Sequence, residues 1–357
     1  MKKLFLLLLA TVSTATLSAQ HYVVTGKAPV GTKMVYLIPI GEEPIDSIQI
    51  DAAGTFTFRG EAAGKHLAYV ATKGEKAKHL VVFLEGEPYV NLEEETVAGS
   101  EENRGLSDYQ TFVNTTLQPL KTLAEQLTDK RNNGELTEQE LAYFYNLSDS
   151  LTTIINARAK QDLKYNTRMR WPAYIVLNQL NDFDHDFLIS LDTPVNAFMQ
   201  EPCLGRAKKL IDAYKRTQVG QHFADFEMAD TAGVMHHLSE YVGCGRYVLL
   251  DFWATWCGPC MGELPNVKAL YDKYHDKGFE IVGISFDQDG DAWRGVIQRR
   301  NMNWTHLSDL SGWKSLPVEF YGVNAIPHLM LIGPDGTIIA NDISTETLSE
   351  RLKEIYQ

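Results

Sequence analysis

"DFWATWCGPC", residues 251–260, places two of the four cysteines two residues apart behind an apolar run. The residues leading in, "YVLL" (247–250), suit a buried strand. Those leading out, "GPCMGELPNVKALYDKYHDKG" (258–278), read as a helix with Gly278 behind it. Cys257 therefore falls at a strand-to-helix junction, where free N–H groups and the positive helix end favour a thiolate. Cys260 sits one turn in, where it serves as the resolving thiol. Pro259 costs no hydrogen bond at the helix start and stiffens the turn. Two cysteines this close enclose too short a loop to act as an entropic staple. A Cys-x-x-Cys in a βα setting reads as a redox motif. The competing reading, half a zinc site, needs two further ligands at the usual spacing, which the chain lacks. No metal and no cofactor is expected.

The βα pattern extends outward from this stretch. "FEIVGISFD" (279–287) is a second buried strand and "DAWRGVIQRRN" (291–301) a second helix. "PHLMLIGPDGTIIAND" is a hairpin around Gly333–Gly336, and "TETLSERLKEIYQ" a closing helix. Continuous apolar strands alternating with helices predict a parallel or mixed sheet covered on both faces, so an α/β domain over 216–357. The run Asp287-Gln288-Asp289-Gly290-Asp291 has the flavour of a calcium loop. Ala292 and Gln298 occupy the required Gly and Glu positions, so it reads as a strand-to-helix loop.

The middle of the chain, 105–215, has helical period. Apolar residues recur at three and four from Asp108 through Leu127, and Thr137–Glu140 is a capping box opening a helix to about Lys164. No chemical motif lies here, so it reads as a linker or partner-binding region. Residues 20–104 are strand-rich, with "DSIQIDAAGTFTFRGE" (46–61) giving two alternating strands about Ala-Ala-Gly as in a hairpin; they predict a small antiparallel β domain. The acidic runs at Glu93–Glu95 and Glu101-Glu102 read as a solvated edge or linker.

Met1-Lys2-Lys3, the apolar run Leu4–Ala10 and the small residues up to Ala19 predict a signal peptide over 1–19. The run is far shorter than the roughly 20 apolar residues a membrane span needs. A periplasmic chain is expected, soluble or peripherally associated after cleavage, in a compartment where disulfides persist. With 33 basic against 46 acidic residues the formal charge is −13, which disfavours nucleic acid as a partner. Cys203 and Cys244 remain, either as free thiols or as a structural disulfide.

"VLLDFWATWCGPC" followed by "MGELP" resembles the exported thioredoxin-like thiol-disulfide oxidoreductases of the TlpA/ResA type, within the wider group that also holds the peroxiredoxins. The resemblance covers about 216–357. The whole chain resembles an architecture of Bacteroidetes in which an N-terminal β domain precedes such a redox domain. The resemblance implies Cys257 as nucleophile and Cys260 as resolving cysteine. Asp251 matches the buried acid that handles the proton of the inner thiol, where this branch often has Asn. Glu263 matches the acid kept beside the motif, and a carboxylate there raises a thiol's pKa or relays its proton. Pro327 matches the cis-proline, with Ile326 offering backbone hydrogen bonds to the substrate. Trp256, Gly258 and Pro259 complete the substrate-facing surface, and Trp253 reads as core.

The function implied is reduction of disulfides in exported proteins, serving redox homeostasis or cytochrome c maturation, with a membrane electron donor as second partner. Gly-Pro between the cysteines resembles thioredoxin, near roughly −270 mV, rather than the strong oxidants. Two alternatives are a thiol peroxidase and a redox-responsive binding module. The first lacks the Pro and Thr cage before its attacking cysteine, with Thr255 out of place.

Overall fold

The computed structural model describes residues 21–50, 52–74 and 77–357; the expected signal peptide lies outside them. Among the described residues no helix is long and apolar enough to cross a membrane. The chain folds into two compact units: the residues up to Asn178 with Pro194–Leu204, and Gln179–Thr193 with Gly205–Gln357.

The N-terminal unit holds two four-stranded sheets. One has the order β4 (Thr55–Glu61), β1 (His21–Lys27), β7 (Tyr89–Asn91), β8 (Thr96–Ala98); the other has β3 (Asp46–Gln49), β2 (Met34–Pro39), β5 (Leu67–Ala71), β6 (His79–Phe83). All pairs are antiparallel except β1 with β7. Alternation puts Val24 and Phe58, facing partners on β1 and β4, into a core shared with Val35, Leu37, Val70 and Val82. Gly26 is required where the strands meet most closely. A Cβ there would fall 2.1 Å from the Val90 carbonyl oxygen and 2.3 Å from the Phe56 ring. The hairpin expected at 46–61 does not form. β3 pairs with β2 and β4 with β1, in separate sheets, so Ala52–Gly54 carries the chain across the sandwich instead of closing a hairpin.

Two long helices follow, α1 (Glu101–Asn132) and α2 (Glu138–Tyr165), the second opened by the Thr137/Glu140 capping box. Of the acidic pair at the head of α1, Glu101 is exposed as expected but Glu102 is not part of a solvated edge. Glu102 is buried and accepts the backbone N–H groups of Arg170 and Trp171 at 2.8–3.0 Å. Arg170 in turn donates to Glu85 at 3.0 Å and to His66 Nε2 at 3.1 Å, while the His66 Nδ1–H faces Glu201 at 3.0 Å. A buried carboxylate needs such partners, and these cross from strand edge to helix within the unit.

The C-terminal unit takes in α4 (His185–Leu191) and α5 (Gly205–Arg216), which follow the short α3 (Ala173–Gln179). The sequence assigns both α4 and α5 to the helical region. Here His185 stacks on Tyr214 at 3.6 Å and Lys215 bonds Asp192 at 2.5 Å. After the small hairpin of β9 (Glu227–Ala229) and β10 (Met235–His237), β11 (Tyr247–Trp253) enters the centre of a five-stranded sheet. The sheet order is β13 (Thr305–Leu307), β12 (Phe279–Ser285), β11, β14 (His328–Ile332), β15 (Ile338–Asn341). β11, β12 and β13 run parallel, β14 is antiparallel to β11, and β15 is antiparallel to β14. Four helices complete the unit: α6 (Gly258–Tyr274), α7 (Gly290–Arg300), α8 (Leu316–Tyr321) and α9 (Thr345–Ile355). The expected thioredoxin-like fold is present, and the calcium-flavoured run is the N-cap of α7, with Asp289 accepting from Asp291 and Ala292.

Candidate active site

β11 is buried from Val248 to Trp253 and apolar there except for Asp251, and the chain then turns out of the sheet into α6. Cys257 is the N-cap of that helix. Its sulfur accepts the Cys260 N–H at 3.1 Å, and the two cysteines are joined as a disulfide with Cα atoms 5.3 Å apart. Gly258 and Pro259 follow as the first two helical residues, both exposed. The two cysteines do not differ in burial, at 5% and 6% exposed respectively. Their surroundings differ instead. Cys257 is flanked by exposed Trp256 and Gly258, whereas Cys260 lines a cavity of about 790 Å³ together with Asp251, Glu263 and Pro327.

Asp251 sits in mid-sheet, paired with Gly283 on β12 and Leu329 on β14. Burial alone pushes its carboxyl up to about 7, because the low-dielectric sheet interior penalises the charged form. Glu263 is half-buried on α6, three residues beyond Cys260, and accepts from Asn266 at 3.2 Å. The Ile326–Pro327 peptide is cis and leads into β14, with Ile326 half-buried and Pro327 exposed. The sequence-predicted residues Cys257, Cys260, Asp251, Glu263 and Pro327 thus share one locality. Trp253 is core, at 1% exposed. Cys203 and Cys244 are free. Burial pushes the Cys203 thiol up to about 12, so it is inert at neutral pH.

Two features of the site escape sequence reasoning. Asp287, at the end of β12 and fully buried, accepts from the Thr255 hydroxyl at 2.5 Å, the Thr255 N–H at 3.1 Å and Ser285 Oγ at 2.8 Å. With the bond from Phe286 N–H to the Trp253 carbonyl at 2.9 Å, it fastens the 253–257 turn to the neighbouring strand. The available signal is position: it lies at the carboxyl end of a central strand, where open α/β sheets build their sites. The second feature is Trp313, whose ring lies 6.2 Å from that of Trp256 and 5.2 Å from that of Phe286. Nothing in the sequence marks it as a neighbour of the redox pair.

A family model described as thioredoxin-like matches residues 245–338, and a domain of unknown function (DUF4369) matches 22–104. The chain is 31% identical over 140 residues to a thiol-disulfide oxidoreductase ResA of Bacillus thuringiensis subsp. konkukian (strain 97-27), across 39% of this chain and 78% of the relative. It is 32% identical over 133 residues to the ResA of Bacillus anthracis, across 37% and 74%. Among solved structures it is similar to a thiol-disulfide oxidoreductase from Bacteroides fragilis NCTC 9343, at 32% identity, 38% of this chain, 99% of that one and a TM-score of 0.36.

Proposed function

We infer, for a chain that belongs to the thioredoxin-like thiol-disulfide oxidoreductases of the ResA type, that its exchange chemistry runs in the reducing direction on exported proteins in the periplasm. The C-terminal domain, 216–357, carries that chemistry. The Cys257 thiolate attacks one sulfur of a substrate disulfide, and the other substrate sulfur leaves as a thiolate that takes up a proton. The Cys260 thiol, deprotonated by Asp251 or Glu263, then attacks Cys257 and releases the second substrate sulfur. Two electrons pass to the substrate, and a membrane electron donor returns the Cys257–Cys260 disulfide to the dithiol. Ile326 and Pro327 present backbone to the substrate chain, and Trp256, Gly258 and Pro259 border it.

The observation that carries the direction is the shared cavity of Cys260, Asp251 and Glu263. An ionised carboxylate lining the same cavity as the inner sulfur disfavours its thiolate. A couple whose reduced form is not stabilised gives up electrons readily, the opposite of a strong oxidant such as DsbA. The signal-like N-terminus supports export, and the thiols of apocytochromes before haem attachment are one substrate class this reading includes. The test is reduction of insulin disulfides by the dithiol form, with trapping by Cys260→Ser. Catalysed reduction and a mixed disulfide at Cys257 are expected. An enzyme that instead only oxidises reduced polypeptides contradicts the direction.

A further inference from the structure

Trp313 is a large apolar side chain beside the redox pair that the exchange chemistry does not use. The loop that carries it, between β13 and α8, is tightly fastened. Asp309 accepts from Ser311 N–H at 3.0 Å, Ser315 Oγ at 3.0 Å and Leu316 N–H at 3.2 Å. Ser308 Oγ donates to the Ser285 carbonyl at 3.0 Å and accepts from Leu310 N–H at 3.1 Å. Within this loop the Trp313 ring rests on fully buried Phe286, yet the residue is 44% exposed, and its neighbour Trp256 is 55% exposed. Leu310, in the same loop, and Leu316, the first residue of α8, are 38% and 41% exposed.

A single exposed apolar residue needs no explanation. Two indoles in contact, held by an ordered loop and continuous with the residue preceding the attacking cysteine, form a surface of the kind that marks recognition. Trp256 directly precedes Cys257, and in an extended chain the residue two positions from a cysteine shares its face, about 7 Å away, so it is the side chain turned toward this surface when the cysteine reaches Cys257.

We propose that Trp313 is a specificity-determining residue: with Trp256 it forms an apolar ledge that takes an aromatic or aliphatic side chain two positions from the reacting cysteine of an extended polypeptide. The inference rests on the proposed function only in requiring that a polypeptide sulfur reaches Cys257. It names the substrate class as unfolded or extended segments with an apolar residue at that spacing, in preference to polar ones.

The test uses the full chain and two peptide disulfides that differ only in Phe or Ser two residues from the cysteine. The wild type is expected to favour the Phe peptide by about tenfold in kcat/KM, carried mainly by KM. Trp313→Ala brings the ratio close to one, while Trp313→Phe, which keeps the packing on Phe286, retains most of it. A wild type that does not discriminate overturns the assignment. So does a Trp313→Ala protein that is slow on both peptides with the ratio intact, since that marks a packing role only. Exchange is reversible, so the ratio is read in both directions. If the enzyme oxidises the peptide dithiols and fails to reduce the disulfides, the proposed direction falls while the ratio still judges Trp313.

Discussion

Asp287 reaches across from the end of β12 to hold Thr255 by both its N–H and its hydroxyl, two residues before the Cys257 sulfur. The buried carboxylate replaces backbone partners that the turn out of β11 would otherwise lack. Phe286 N–H closes the same turn through the Trp253 carbonyl.

Removing that hold leaves the Thr255 N–H without an acceptor. Asp287→Ala is expected to lower stability by about 1–3 kcal/mol and to slow exchange at Cys257. Thr255→Val removes only the hydroxyl bond. Because both act on one contact, the double variant is expected to lose less than the sum of the singles. Urea unfolding checks this, and strict additivity would show that Asp287 acts elsewhere.

Asp251 makes stability depend on pH in a defined direction. Its folded value of about 7 lies above the ordinary 3.8, so the folded protein holds the proton where the unfolded chain has released it. The Asp251 contribution is therefore fully present below about pH 4 and is lost as pH rises towards 7, by up to about 4 kcal/mol. Asp251→Asn removes the titration. Its stability relative to the wild type should rise between pH 4.5 and 7.5, read by unfolding of the disulfide form. A constant difference across that range contradicts the buried-acid account.

Glu102 anchors the head of α1 to the Arg170–Trp171 backbone inside the N-terminal unit. Glu102→Ala strands the two buried N–H groups of Arg170 and Trp171, and is expected to cost about 1–3 kcal/mol for each. Glu102→Gln keeps an acceptor oxygen and should cost less. Equal losses for the two variants, measured by chemical unfolding, would contradict the assigned partners.

Gly283 is fixed by its neighbours on the sheet. A Cβ there would lie 2.6 Å from His306 Nδ1 and 3.1 Å from Trp253 Nε1. Gly283→Ala is expected to destabilise by about 1–3 kcal/mol through overpacking and to shift the near-ultraviolet signal of the buried tryptophans. An unchanged melting temperature would argue against this close packing.

What sequence made legible was local. The Cys257/Cys260 pair, the Thr137/Glu140 capping box and the turn at 333–336 each announce themselves within a few residues, and each stands where expected. What it missed depends on partners far along the chain. An acidic run does not show that Glu102 will bond residues 68 and 69 positions away. Alternating strands at 46–61 do not show that each will pair in a different sheet. Asp287 looks like part of a loop until the parallel pairing of β11 and β12 sets it beside Thr255. The redox pair was visible; its supports were not.

The central claim, that the Cys257/Cys260 couple works as a reductant, is tested most directly by its reduction potential at pH 7 against glutathione or dithiothreitol buffers. The account predicts a value near or below about −220 mV. A value near −120 mV, in the range of the strong oxidant DsbA, would contradict it.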